Sequence, residues 1–293
     1  MNATVVELAQ RAATSCPIEG NPDLYGLGIR LGLYLQMFTA QISGLSSAIL
    51  PIPDSIGQGV VLFVLATGIV LFRLIEHREI EAVEVFIMLS LLVAHHGACR
   101  VPFWKQPMTI FVYLGELICL LALSAWFWFR GMDMLPRSCV DDYAFFFAKV
   151  SIWHWFRKLN QAFIVITIVG AAPGIIYYMS WLFTLTVLRI IYGQQVDEDH
   201  EMATGSLEFV INAGVIAYVE LAIKWNHISG VYDLSSPGQY MPFFIALAQL
   251  FTTLYQLGKH GLIQEYAGDG GGDFECPHKT ATATDVELAP TTH

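Results

Sequence analysis

Five stretches of this chain are so long and so poor in charge that they decide its fold class before any motif is considered. Residues 31–53, 55–72, 159–188 and 234–258 hold no charged side chain, and 106–129 is interrupted only by Glu116. A helix needs roughly 20 apolar residues to cross about 30 Å of hydrocarbon. Inside a bilayer the backbone must be satisfied within the segment or in a closed barrel. The runs are continuous, without the alternation that marks each roughly ten-residue barrel strand, so helices are the remaining solution. Two weaker runs bring the expected number of helices to seven: 82–101, with Glu84, His95 and His96 near its ends, and 206–225, with Glu208, Glu220 and Lys224.

Composition points the same way. Hydrophobic residues make up 55% of the 293 positions and charged residues 14%, with a mean hydropathy of +0.54, more apolar than one soluble core accommodates. The expected architecture is an all-α, polytopic transmembrane helix bundle with spans near 27–50, 55–75, 82–101, 107–129, 160–190, 206–225 and 240–258. A soluble amino-terminal segment over 1–24 and a disordered acidic tail over 263–293 flank the bundle at 25–262. The net charge of −10 owes much to that tail, where Glu265, Asp269, Asp273, Glu275, Asp285 and Glu287 face a single Lys279. No basic run suggests nucleic acid; the expected partner is the lipid bilayer.

Proline and glycine punctuate the runs. Pro51 and Pro53 follow the first span, Pro107 opens the fourth, and Pro237, Gly238 and Pro242 open the seventh. The uncharged stretch 159–188 spans about 45 Å as helix, and its Pro173-Gly174 predicts a kink or tilt. Ahead of it, "DDYAFFFAKVSIWHWFRKLN" mixes rings with Lys149, Arg157 and Lys158, the composition of an interfacial segment; ligand binding by Trp153, His154 and Trp155 is the alternative. Lysine and arginine counts in the loops lean towards a cytoplasmic amino terminus. Asn2, in "NAT", is a candidate glycosylation site, and Cys16 with Cys139 is a candidate pair on one side, both of which require a lumenal face. No cleavable signal peptide is visible. An endomembrane such as the endoplasmic reticulum is the expected location, with the plasma membrane as alternative.

Polar groups inside the spans are the functional candidates, since an ionisable side chain there is costly. In the first span Arg30, Tyr34, Met37, Gln41 and Gly44 form one stripe, and Gln36 shares another face with Ser43 and Ser47. Arg30 either snorkels to the headgroups or lines an internal polar cavity, reaching towards Glu84 or Glu208. Glu116 lies mid-span with Tyr113 one turn before it, a carboxyl placed to keep its proton and act as interhelical glue or as a general acid. Glu84 and His95 share a face about 16 Å apart, where interfacial solvation is the simpler explanation. In the sixth span Glu208 and Asn212 share a face and Glu220 with Lys224 reads as an i, i+4 ion pair. Gln249, Thr252, Thr253 and Gln256 form a polar face on the seventh. Glu116 and Tyr113 are therefore the candidate catalytic residues, and Arg30, Gln41, Glu84, Glu208, Asn212 and Gln249 the candidate ligand-binding ones. The acidic turn "EHREIE" lacks metal-site spacing, no metal or cofactor is expected, and hydrolase, Rossmann, P-loop and zinc-protease signatures are absent.

The stretch "NPDLYGLGIRLGLYLQ", with Glu81–Glu84 before the third span, resembles a group of multispanning membrane proteins of filamentous fungi whose first span opens on Asn-Pro-Asp-Leu-Tyr-Gly. That group has no established activity, so the resemblance implies membrane location and fungal origin and carries no catalytic residue across. A looser, architectural similarity is to fungal membrane-bound terpene cyclases, small seven-helix proteins that use carboxylic acids as proton donors; none of their acidic positions is matched by motif to Glu84, Glu116 or Glu220. The polar faces inside the bundle suggest a membrane-embedded cyclase or isomerase acting on a lipophilic intermediate, with Glu116 as proton donor and Tyr113 and Gln41 orienting the substrate; the resemblances add fungal secondary metabolism as its setting. A non-catalytic receptor, transporter or scaffold is the alternative.

Overall fold

The structure, a computed structural model, describes residues 18–47, 56–98, 107–139, 141–192, 206–234 and 236–269. Seven helices of 17 residues or more dominate them: α1 (Leu27–Ser47), α2 (Ile56–His77), α3 (Ala82–Ala98), α4 (Pro107–Trp126), α5 (Trp155–Tyr192), α6 (Ser206–Trp225) and α7 (Pro237–Asp269). A π turn, Phe127–Gly131, and a last helical turn, Met132–Met134, prolong α4. Asn2 and Cys16 lie outside the described residues.

Four stretches among the described residues are long and apolar enough to cross a membrane: Gly59–His77, Thr109–Met134, Trp155–Leu188 and Pro237–Lys259. Their outer faces are bare. Phe72, Phe163, Ile166, Phe183 and Phe251 are each more than 60% exposed, and apolar surface on that scale is stable only when lipid covers it. α3 is shorter and apolar all round, and such a helix belongs inside. It is buried along most of its length, from Ala82 to His96, against α1, α2, α4 and α6. α1 and α6 are the polar members of the bundle.

Before α1, residues 18–26 fold against the bundle. Asn21 caps a single helical turn, Pro22–Tyr25, by accepting from the Asp23 amide, with Pro22 supplying a preset φ at the first position. Ile18–Glu19 pairs in parallel with Ile228–Ser229, and Ile18, Leu24 and Tyr25 are buried. Three apolar side chains in eight residues suffice to dock the segment under the bundle.

Glycines draw α1 onto α7. A Cβ at Gly28 would lie 2.5 Å from the Gln239 carbonyl oxygen, and one at Gly32 2.8 Å from the Pro242 carbonyl. This small-x-x-x-small spacing lets two backbones approach where no side chain fits. α7 continues through Asp269, beyond the expected start of the tail at 263, because "LIQEYA" contains no helix breaker. The aromatic segment ahead of α5 forms an antiparallel hairpin, Tyr143–Phe145 with Lys149–Ser151, locked to the end of α6 by the Asn226 amide. Asn226 accepts from the Tyr143 amide and donates to its carbonyl, both at 2.7 Å.

Candidate functional site

Polar side chains inside the bundle fall into three groups. The first gathers where the chain enters α1. Arg30 is fully buried rather than snorkelling, and its Nε donates to Glu220 Oε1 at 2.8 Å while Nη1 donates to the Tyr25 carbonyl at 2.9 Å. The Tyr34 hydroxyl donates to the same Glu220 oxygen at 2.9 Å, and the guanidinium lies 5.8 Å from the Tyr232 ring centre. Glu220 thus turns to Arg30 across helices instead of along α6 to Lys224, and Arg30 chooses neither Glu84 nor Glu208. Glu84 is itself buried, not solvated at the interface. Its Oε1 accepts from the Tyr25 hydroxyl at 2.7 Å and the Asn21 amide at 3.2 Å, and Oε2 from the Glu81 amide at 3.0 Å. Tyr25 is fully buried; burial pushes its phenol pKa upward and the Glu84 charge adds to the effect. Gln239 Oε1 accepts from the Gly28 amide at 3.3 Å, covering one of the orphan donors at the start of α1. The Asn-Pro-Asp-Leu-Tyr-Gly motif therefore works as a clasp joining α1, α3, α6 and α7.

The second group lies at the far end of α3. His95, His96 and Glu116 are buried, with His96 Nδ1 3.6 Å from Glu116 Oε2. His96 stacks on Tyr113 with ring centres 4.1 Å apart, and His95 meets Phe63 edge-on at 5.9 Å. Neither imidazole nor the carboxylate has a hydrogen-bond partner among the described residues. No group of three or more metal-ligating side chains among those residues is placed to hold an ion.

The third is a cleft of about 500 Å³ bounded by α3, α4, α5 and α6, with Gln41 reaching in from α1. Pockets of about 300–1,000 Å³ suit small organic ligands. Its walls are mainly apolar, among them Phe86, Leu89, Leu121, Phe127, Ile164 and Val215. Three polar lining residues bond back to their own helices, Ser90 to the Phe86 carbonyl, Asn160 to that of Phe156 and Thr167 to that of Phe163. Two others leave an atom unpaired among the described residues: Gln41 Oε1 and Asn212 Nδ2, on side chains that are 1% and 5% exposed. The rim is open. Val93, Phe163 and Ile211 are 50%, 67% and 54% exposed, so the cleft faces the apolar outer surface of the bundle rather than an aqueous end.

The structure thus brings Gln41, Glu208 and Asn212 together on one cleft and separates them from the other candidates. Arg30 and Glu84 belong to the clasp, and Gln249 is bound to Gln36, whose amide donates to it at 3.0 Å. Glu116 and Tyr113 are not among the residues that line the cleft; they sit on α4 beside His96, whereas Gln41 lines it. Trp153 is held locally, donating from Nε1 to Asp142 at 2.9 Å beneath the Arg137 guanidinium; burial raises the Asp142 carboxyl pKa and the indole bond partly offsets it. Trp155 packs on Phe146 and Phe156. Tyr25, Glu220, His96 and Gln239 were missed as site members. The stripe from Arg30 to Tyr34 pointed to a shared acceptor, but nothing local identifies Glu220 or Gln239 as its neighbours.

Fold and site define an all-α helix bundle with a lipid-facing belt, a polar clasp at one end and a laterally open cleft. No protein-family model matches the chain, and no curated protein or solved structure matches it.

Proposed function

We propose that this protein is an integral membrane protein that takes a lipophilic small molecule from the bilayer into the cleft beside α3. The observation that carries the proposal is an apolar cavity open towards the outer face whose walls hold two buried amide atoms without a partner among the described residues, Gln41 Oε1 and Asn212 Nδ2. A ligand with an apolar body and one polar group satisfies both features. In the finer reading, cyclisation or isomerisation in a fungal secondary-metabolite pathway, support comes from the sequence resemblances alone. In that reading Glu208, which lines the cleft, replaces Glu116 as the proton donor. A receptor or carrier would use the same cleft without turnover.

Gly97 supplies the test. It lines the cleft, and a Cβ there meets no atom within 4 Å, so Gly97→Phe adds bulk at the cleft with little clash at the Cβ, and an unchanged melting temperature is the check that the bundle stays intact. Solvent extraction of purified protein followed by mass spectrometry should show a lipophilic compound enriched with the native chain and lost from Gly97→Phe. Equal retention by both proteins overturns the proposal. Comparing metabolite profiles of a deletion strain and a Glu208→Gln strain then separates turnover from binding.

We also place the face carrying the clasp in an oxidising lumen. Cys139 is disulfide-bonded and lies on that face, where neighbouring Ser138 donates to Glu81 at 2.5 Å. Disulfides persist in oxidising compartments, so this evidence outweighs the charge-based lean to a cytoplasmic amino terminus. Protection of that face from a membrane-impermeant reagent in sealed microsomes is the expected result.

A further inference from the structure

Among the described residues the cleft holds one buried acceptor and one buried donor without a partner, Gln41 Oε1 on α1 and Asn212 Nδ2 on α6. Arg30 pairs with Glu220 and Phe38 stacks on Phe209 at 6.4 Å, so α1 and α6 run antiparallel. Gln41 follows Phe38 by three residues and Asn212 follows Phe209 by three, which sets their Cα atoms on opposite sides of the aromatic pair. Helical side chains lean towards their own amino terminus. Gln41 and Asn212 therefore lean back towards the Phe38–Phe209 level from opposite directions and converge on one level of the cleft.

A ligand group at that level must donate to Gln41 Oε1 and accept from Asn212 Nδ2, or a desolvated amide stays unpaired. A ketone, quinone, aldehyde or ether has no proton for Gln41. A carboxylate also has none. An ammonium has no lone pair for Asn212. An aliphatic hydroxyl does both jobs and carries no charge. Resting on the reading that the cleft holds a lipophilic molecule, we infer that its ligand is a neutral lipid alcohol, its hydroxyl between Gln41 and Asn212 and its hydrocarbon body against Phe86 and Val215.

The test is binding of radiolabelled oleyl alcohol and of cholesterol, one flexible and one rigid body, to the full chain in phosphatidylcholine nanodiscs. Oleyl methyl ether and oleic acid serve as competitors. Saturable binding of at least one alcohol is expected, with each competitor at least about tenfold weaker, the worth of one hydrogen bond. Gln41→Leu and Asn212→Leu should each weaken alcohol binding about tenfold and erase its advantage over the ether. Their melting temperatures should hold or rise, since each removes an unpaired buried group, which separates lost contact from lost folding. No saturable binding of either alcohol overturns the inference, as does an ether or acid that competes as well as the alcohol. If the ether competes equally and Gly97→Phe still abolishes binding, the hydroxyl assignment fails while the cleft reading stands. Binding that survives Gly97→Phe removes the cleft reading itself.

Discussion

α3 carries buried polar residues at both ends, and the two ends are satisfied in opposite ways. Glu84, in the first turn, receives three donors on its two oxygens. About 16 Å along the same helix, His96 lies 3.6 Å from Glu116 and His95 packs on Phe63, and none of the three has a hydrogen bond within 3.5 Å among the described residues. The difference lies in what surrounds them. Two of the three Glu84 donors are backbone amides of Asn21 and Glu81, outside the long helices and therefore free to turn towards a carboxylate. Glu116 sits in mid-helix, where backbone amides are already committed to the helix and only side chains remain as partners. Loops folded against a bundle end can neutralise a buried charge in ways that packed helices cannot.

The comparison can be broken most forcefully at Arg30. Removing one partner of a buried ion pair costs about 3–5 kcal/mol, and the figure here should fall nearer 2–3 kcal/mol because the Glu220 side chain is 37% exposed and keeps some contact with its surroundings. Thermal unfolding of Arg30→Met in detergent should show that loss. Arg30→Lys should not recover it, since a single ammonium cannot reach Glu220 and the Tyr25 carbonyl with the same fork. Next in size is Glu84→Gln, expected to cost about 1–3 kcal/mol because an amide nitrogen must then face a donor. Tyr25→Phe should cost less, about 1 kcal/mol, the worth of one hydrogen bond.

A different region sharpens the steric side of the same contrast. Gly32→Ala should cost about 1–3 kcal/mol, because its Cβ meets the Pro242 backbone at 2.8 Å, whereas Gly97→Ala should be neutral or stabilising. The smallest effect is expected at the far end of α3. Glu116→Leu removes a buried carboxyl without hydrogen bonds among the described residues and should change stability by less than about 1 kcal/mol, or raise it. A loss there as large as that of Glu84→Gln would mean that water or a ligand satisfies this end too, and the contrast between the two ends would disappear.

Much of the bundle was legible before the structure. The uncharged runs placed the long helices because hydrocarbon thickness sets their length. The stripe from Arg30 through Tyr34 to Gln41 was legible because side chains three or four apart share a helical face. Glu208 and Asn212 stood out for the same reason. Other features were read wrongly, and each error has a tertiary cause. Glu84 looked solvated because it adjoins a polar turn, yet the chain ahead of α1 folds against it and supplies donors. Glu220 looked paired with Lys224 because sequence spacing reveals neighbours on one helix and conceals those on another.

Composition and periodicity alone thus determined that this chain is an apolar helix bundle and which side chains lie on its polar faces, because burial in lipid and helical pitch act residue by residue. Only the tertiary structure decided which polar faces meet. Arg30 found Glu220 because α1 crosses α6, and the α1–α7 crossing is close because Gly28 and Gly32 admit the α7 backbone. Gln41 and Asn212 face one cleft while Glu116 faces His96, since a meeting of side chains from distant helices depends on how those helices pack, which spacing along any one helix does not encode.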